Sequence, residues 1–141
     1  RALGADEDQR RRMFNRSTMV SADAAHSIHP NHPAKHDPVN YPIIGQGPVL
    51  KVNANQRYTS DAVTSGMWVR ACQTAGVPHQ VFAGRNDVPC GSTIGPISAT
   101  RLGIASVDVG IPLLSMHSAR EMAGVKDLGW FEQALEAYLV N

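Results

Sequence analysis

The stretch PVLKVNANQRYTSDAVTSGMWVRACQTAGVPHQVFA, residues 48–83, decides the fold class. Pro48 to Asn53 is short, apolar and rich in branched side chains, which reads as a strand. Thr59 or Ser60 can then cap a helix through Ala62, Val63, Met67, Trp68 and Ala71, which Gly76 and Pro78 stop. His79 to Ala83 reads as the next strand. Strand, helix and strand in this order predict an α/β fold, a sheet with helices packed on its faces.

The alternation continues on both sides. Residues 3–16 mix charged and small residues in a helical pattern, and Ser17 to Ala22 is an apolar, β-leaning run that closes on Asp23. From Ala24 to Gly47 the chain is rich in His, Pro, Asn and Gly and predicts a long irregular loop, a feature that in compact domains usually serves function. Gly91 to Leu102 opens as a glycine-rich turn and continues as a helix of small residues, ended by Gly103. Ile104 to Val109 is the following strand, and Pro112 to Met116 leads apolar sequence up to His117. Asp127 to Leu139 is an amphipathic helix whose apolar side holds Trp130, Phe131, Leu135, Tyr138 and Leu139.

Composition excludes several function classes. A hydrophobic content of 43% over 141 residues is enough for one core, and a net charge of +1 gives no basis for nucleic acid or an anionic membrane as partner. The basic run Arg10-Arg11-Arg12 follows Asp6, Glu7 and Asp8, so it reads as a solvated helix of mixed charge. Cys72 and Cys90 are too few for a disulfide framework, which points to a reducing, cytoplasmic compartment. No apolar run approaches the ~18 residues of a membrane span. The chain opens on Arg1 rather than Met, so further sequence is expected upstream.

In α/β sheets, sites gather past the carboxyl ends of strands, and Asp23 and His117 are the polar residues expected there. His26, His29, His32 and His36 crowd the loop behind Asp23. Asp and His suit zinc or a similar divalent ion, but no thiolate pair makes this a zinc finger. Singly, each loop histidine reads as hydrogen-bonded or solvated, above all His32 and His36 beside prolines. His117, followed by Arg120 and Glu121, reads by spacing alone as a core or capping residue and not as a ligand. Lys51, alone in an apolar strand, lies either on an exposed face or in a polar pocket. Cys90 could be activated by a helix N-terminus, yet no histidine is tied to it, so it reads as a buried structural thiol. The Gly91-Ser92-Thr93 turn lacks the Gly-Lys-Ser/Thr of a P-loop and supports no nucleotide site.

Four stretches together carry a resemblance. They are Ser21-Ala22-Asp23-Ala24-Ala25-His26-Ser27-Ile28-His29-Pro30-Asn31 with Lys35-His36, and Gly47 to Asn53 with Gln56-Arg57-Tyr58. Arg85-Asn86-Asp87 with Pro89 to Pro96, and Met116-His117-Ser118 with Arg120-Glu121, complete the set. In this order they resemble the aspartyl aminopeptidase family over essentially the whole chain. The resemblance implies a metallopeptidase catalytic domain of phosphorylase/hydrolase-like fold, a mixed sheet flanked by helices, of which residues 1–141 form the C-terminal half.

The resemblance also implies the chemistry. Asp23 matches the aspartate that binds one ion of a dinuclear centre and His117 the histidine that binds the other. The ions are expected to be zinc, with cobalt or manganese as substitutes. His26, Lys51 and Tyr58 match substrate-contacting residues, and Lys51 suits an acidic P1 side chain by a charge-assisted hydrogen bond of ~1.5–3 kcal/mol. His29 matches a family histidine of loop or subunit contacts, and His32 departs from the aromatic usual there. The remaining ligands, the general-base glutamate and a dimerisation domain are expected upstream. The implied protein removes N-terminal residues, preferably Asp or Glu, from peptides with a free N-terminus, and assembles as a homo-oligomeric dodecamer of dimers. This chain alone is expected to be inactive without its own N-terminal segment. A non-catalytic shell subunit, or an aminopeptidase preferring neutral or basic residues, are the alternative readings.

Overall fold

A computed structural model describes residues 3–140; Arg1, Ala2 and Asn141 of the expected 1–141 unit lie outside the described residues. In chain order the elements are α1 (Glu7–Asn15), β1 (Thr18–His26), a 3-10 turn (Pro33–Lys35), β2 (Val49–Val52), α2 (Ala62–Ala75), β3 (Gln80–Ala83), α3 (Ile94–Leu102), β4 (Ala105–Leu114), β5 (Met122–Ala123) and α4 (Val125–Val140). The sheet order is β1-β4-β2-β3, with β5 added beside β4. β1 and β4 are parallel, Asp23 lying opposite Gly110 and His26 opposite Leu113. β2 and β3 are parallel to each other, but β2 meets β4 antiparallel, Val49 opposite Gly110 and Leu50 opposite Val109. The sheet is therefore mixed, as the resemblance implies, whereas strand–helix alternation by itself points to parallel pairing.

Successive strand residues point to opposite faces, and this divides the core. Leu50, Val107 and Val109 join Trp68, Cys72 and Val77 beneath α2, together with Ala134 of α4. Trp68 is fully buried and meets the Phe131 ring edge-on at 5.9 Å, closing α2 against α4. Burying a large apolar side chain of this kind stabilises by roughly 1.5–3 kcal/mol. On the other face Val49 and Ala25 pack with Tyr58, Phe82 and the half-buried Cys90. Asp108, between Val107 and Val109, points to that second face, where α3 begins.

Several boundaries differ from the sequence expectation, each for a tertiary reason. β1 does not close on Asp23 but continues to His26, because Ala24 to His26 still pair with Ile111 to Leu113. The runs 104–109 and 112–116 are one strand, β4; Pro112 falls between the rungs that pair with β2 and those that pair with β5. The cap of α2 is Asp61, in a reciprocal box with Thr64, rather than Thr59 or Ser60. The short β5 has no signature in the sequence. In α4 the apolar side turns further than expected: Leu139 is 78% exposed, whereas Asp127 is fully buried.

Candidate functional site

Because β1 and β4 are parallel, their carboxyl ends open on the same side of the sheet. A cavity of about 460 Å³ lies there, and Asp23, His26, Lys51, Tyr58 and His117 all line it. The five residues singled out in the sequence thus share one concave surface. Of the two metal candidates, His117 lies just past a strand end as expected and Asp23 does not. Asp23 is inside β1, three residues before its close, and His117 follows β4 in a turn sealed by the Ser118 N–H on the Ser115 carbonyl at 2.9 Å.

Lys51 settles its two alternatives in favour of the pocket. Its side chain is 2% exposed, against 56% for Asp23, and its Nζ lies 3.5 Å from Asp23 Oδ2. The same Nζ donates to the Ala24 carbonyl at 3.1 Å and stands 5.1 Å from the centre of the Tyr58 ring. Burial pulls the Lys51 pKa below the ordinary lysine value, and the carboxylates of Asp23 and Asp108 offset only part of that. Tyr58 is buried and packs edge-on against Phe82 at 6.3 Å. Burial first, then the Cys90 thiol, push its phenol well above the ordinary value, so it remains a hydrogen-bond donor.

His26 keeps an edge in solvent while the cavity walls crowd it. That desolvation, followed by the nearby His36, His117 and Lys51, lowers its pKa and favours the neutral imidazole. His36 is half-buried and edge-on to Phe82 at 6.2 Å, rather than solvated, and burial likewise lowers its pKa. His29 and His32 stack loosely with ring centres 5.1 Å apart, and the Asn31 N–H donates to His29 Nδ1 at 3.1 Å. His117 adopts φ +67°, uncommon for a residue with a side chain, and Glu121 accepts its backbone N–H. Glu121 is thereby a turn-holder, and the His117 imidazole makes no hydrogen bond among the described residues. Cys90 is not a deeply buried thiol: it lines the cavity beside Tyr58.

The donor chemistry of Asp23 and His117 fits zinc, but among the described residues no three His, Cys, Asp or Glu side chains converge to hold an ion. A centre here needs donors from outside those residues.

Two supporting acids were not singled out in the sequence. Asp127, at the start of α4, accepts the Gly45 N–H at 2.6 Å and the Gly47 N–H at 2.8 Å, so it anchors the histidine loop just before β2. Asp108 is fully buried and accepts from the Thr59 N–H at 2.7 Å, the Thr59 hydroxyl at 2.9 Å and the Thr93 hydroxyl at 2.6 Å. Burial alone would raise the Asp108 pKa, but the hydrogen bonds from Thr93 and Thr59 outweigh it and hold the carboxyl below the usual range. The available signal was an acid inside an otherwise apolar run, Ser106-Val107-Asp108-Val109, the same anomaly that marks Lys51.

Comparison with known proteins gives this site a context. The family described as aminopeptidase I zinc metalloprotease (M18) matches residues 1–139. A probable M18 family aminopeptidase 2 of Mycobacterium tuberculosis strain H37Rv is 50% identical over 139 residues, covering 98% of this chain and 32% of that protein. Among solved structures, a chain of the Ape4 and Nbr1 complex superposes with a TM-score of 0.88 at 44% identity, covering 97% of this chain and 26% of that one. The S. cerevisiae mApe1 dodecamer gives a TM-score of 0.82 at 27% identity, covering 93% and 28%. The chain thus spans about a third of the length of the curated relatives it matches.

Proposed function

Because this chain belongs to the M18 zinc metalloprotease family, we propose that it forms the C-terminal part of the catalytic unit of an aminopeptidase with a preference for N-terminal Asp or Glu. The observation that carries the preference is Lys51, an ammonium group buried at the base of the cavity with Asp23 and the Ala24 carbonyl as its polar neighbours. An isolated buried cation is costly unless paired. A substrate carboxylate entering the cavity would give it a second anionic partner, a charge-assisted contact that neutral side chains cannot supply.

Asp23 and His117 would each hold one of two zinc ions, completed by ligands from the upstream segment. Bound zinc would supply Lewis acidity for the scissile carbonyl and bring the pKa of an attacking water from ~15.7 toward ~7. The rest of the work falls to this chain's side chains. Tyr58, kept protonated, would donate a hydrogen bond to the substrate and fix the orientation of Lys51 through its ring face. His26, neutral near pH 7, would present one donor and one acceptor at the rim of the cavity. The general base would be an upstream glutamate, so the chain by itself would lack activity. By analogy with the dodecamer of the yeast relative, the complete protein would be a homo-oligomer. Two free thiols fit a cytoplasmic location, and among the described residues no helix is long and apolar enough to cross a membrane.

The test is Lys51→Ala in the full-length protein. Its kcat/KM on peptides beginning with Asp should fall by about 10-fold or more relative to peptides beginning with Leu, as the loss of a charged hydrogen bond predicts. Equal losses on both would refute the acidic preference and favour a neutral or basic one. This 141-residue chain, given zinc and an acidic peptide, should release no amino acid; robust turnover would refute the need for an upstream segment.

A further inference from the structure

We propose that Asp108 is a positioning residue for the substrate cavity, a buried carboxylate that clamps the Tyr58 loop and the Cys90–Thr93 loop in place from behind. The inference rests on the aminopeptidase reading for its kinetic consequence and on geometry for the clamp itself.

Asp108 does not line the cavity; beyond the electrostatic support its carboxylate gives the Lys51 ammonium, it acts there through the residues it holds. Its two oxygens serve two different loops. Oδ2 takes both the N–H and the hydroxyl of Thr59, at 2.7 and 2.9 Å, and Thr59 directly follows Tyr58. Oδ1 takes the hydroxyl of Thr93 at 2.6 Å, and Thr93 ends the cavity-lining segment that begins with Val88 and includes Cys90. Ser60 adds a second tie. Its hydroxyl accepts the Asp108 N–H at 3.0 Å and reaches the Asp108 carbonyl at 3.4 Å. The loop after Tyr58 is thus fixed to β4 by side chain and backbone together.

The first turn of α3 sits directly on the same carboxylate. A Cβ at Gly95 would come within 2.5 Å of both Asp108 oxygens, so only glycine allows that approach. An anion at the start of a helix is favourable, because the first turn presents unpaired N–H groups.

A fully buried acid in mid-strand carries a desolvation cost that an apolar residue would avoid. Three hydrogen bonds offset that cost, and the loops they tie carry Tyr58 and Cys90, which line the same cavity as Lys51. Packing alone explains a Val or Leu at this position better than an Asp. Placement of Tyr58 and of the Cys90–Thr93 loop explains the acid.

The experiment uses the full-length protein with Asp108→Asn, which keeps shape but replaces an acceptor, and with Thr93→Val and Thr93→Ser. Rates of Cys90 modification by a thiol reagent, mapped by mass spectrometry, report on the loop without reference to catalysis. Kinetics on an acidic peptide and thermal unfolding complete the set. Asp108→Asn and Thr93→Val should each speed Cys90 labelling and raise KM by about 10-fold, with a smaller change in kcat, as loss of positioning at a binding wall predicts. Thr93→Ser, which retains the hydroxyl, should restore slow labelling. Lowered melting temperature with unchanged Cys90 labelling and unchanged KM would overturn the proposal, since Asp108 would then be a structural acid only. If Asp108→Asn fails to fold, the Thr93 pair decides by the same criteria. A full-length parent protein with no peptidase activity would refute the proposed function and not the clamp, which Cys90 labelling would still support or overturn.

Discussion

The Lys51 ammonium lies 3.5 Å from the Asp23 carboxylate although their strands are not neighbours in the sheet. β4 runs between β1 and β2, and the row that Asp23 and Val49 share across it is occupied by Gly110. With no side chain at Gly110, a long lysine two residues beyond Val49 can reach over to the aspartate.

This pair is unequal, and the inequality predicts which partner matters more for stability. Lys51 is 2% exposed and Asp23 56%. Asp23→Asn would leave a buried ammonium with the Ala24 carbonyl, the Tyr58 ring and the more distant Asp108 carboxylate. Breaking a buried pair costs about 3–5 kcal/mol, and the exposure of Asp23 reduces this to an expected ~1–2 kcal/mol. Lys51→Met fills similar space and leaves Asp23 in water, so less than ~1 kcal/mol is expected. Thermal unfolding of the metal-free full-length variants checks the order; a larger loss for Lys51→Met would contradict it.

Gly110→Ala should disturb the site from the inside. A Cβ at this position would come 2.7 Å from the Asp23 carbonyl oxygen and 2.8 Å from Ala24 Cα. Backbone cannot yield as a flexible side chain can, so β1 must shift at the residue that carries the carboxylate. Overpacking of this kind costs about 1–3 kcal/mol. The expected result is a lowered melting temperature together with weakened zinc binding in the full-length protein. Unchanged values for both would show that β1 tolerates the shift.

Much of the fold was legible in the sequence because it rests on local pattern. The apolar runs around Val49 and Val107 and the stop at Gly76 each carry their signal within a few residues. The rest depended on distant partners. Thr59 and Ser60 look like helix caps, yet Asp108 engages both, and Asp61 is left to cap α2. Pro112 looks like a strand break, but it falls where β4 changes neighbours. The candidate residues lining one cavity were legible from motif order, whereas the carboxylates behind them, Asp108 and Asp127, were not. Only the folded contacts distinguish a clamp from a solvated acid.

Asp127→Ala should free the histidine loop. Gly45 and Gly47 would lose their acceptor for two backbone N–H groups, at a cost of about 1–3 kcal/mol. Local opening would become about 10-fold more frequent or greater, at ~1.4 kcal/mol per decade. Limited trypsin digestion followed by mass spectrometry should show faster cleavage after the exposed Lys35. No change in the rate at that bond would mean that the loop is held elsewhere.

The buried Cys72 thiol should make stability decline at alkaline pH. Burial raises the Cys72 pKa to about 11, so the folded protein keeps it protonated where the unfolded chain, with a thiol pKa of about 8.5, does not. The stability this contributes is present below about pH 8.5 and is lost as pH rises toward 11. At about pH 9 Cys72 should resist a thiol reagent in the native protein and react only after denaturation. Cys72→Ala should flatten the alkaline decline in melting temperature; an identical decline would assign it to other groups.

β4 is also a measuring rod. Its register with β1 sets where Asp23 stands, and its last residue, Leu114, sets where the turn bearing His117 begins. The separation of the two proposed metal ligands is therefore counted largely in strand residues at roughly 3.3 Å each. Inserting or deleting one residue between Gly110 and Leu114 would alter that count and invert the faces of everything after it. Length variation is consequently affordable in the histidine loop and forbidden in these few positions.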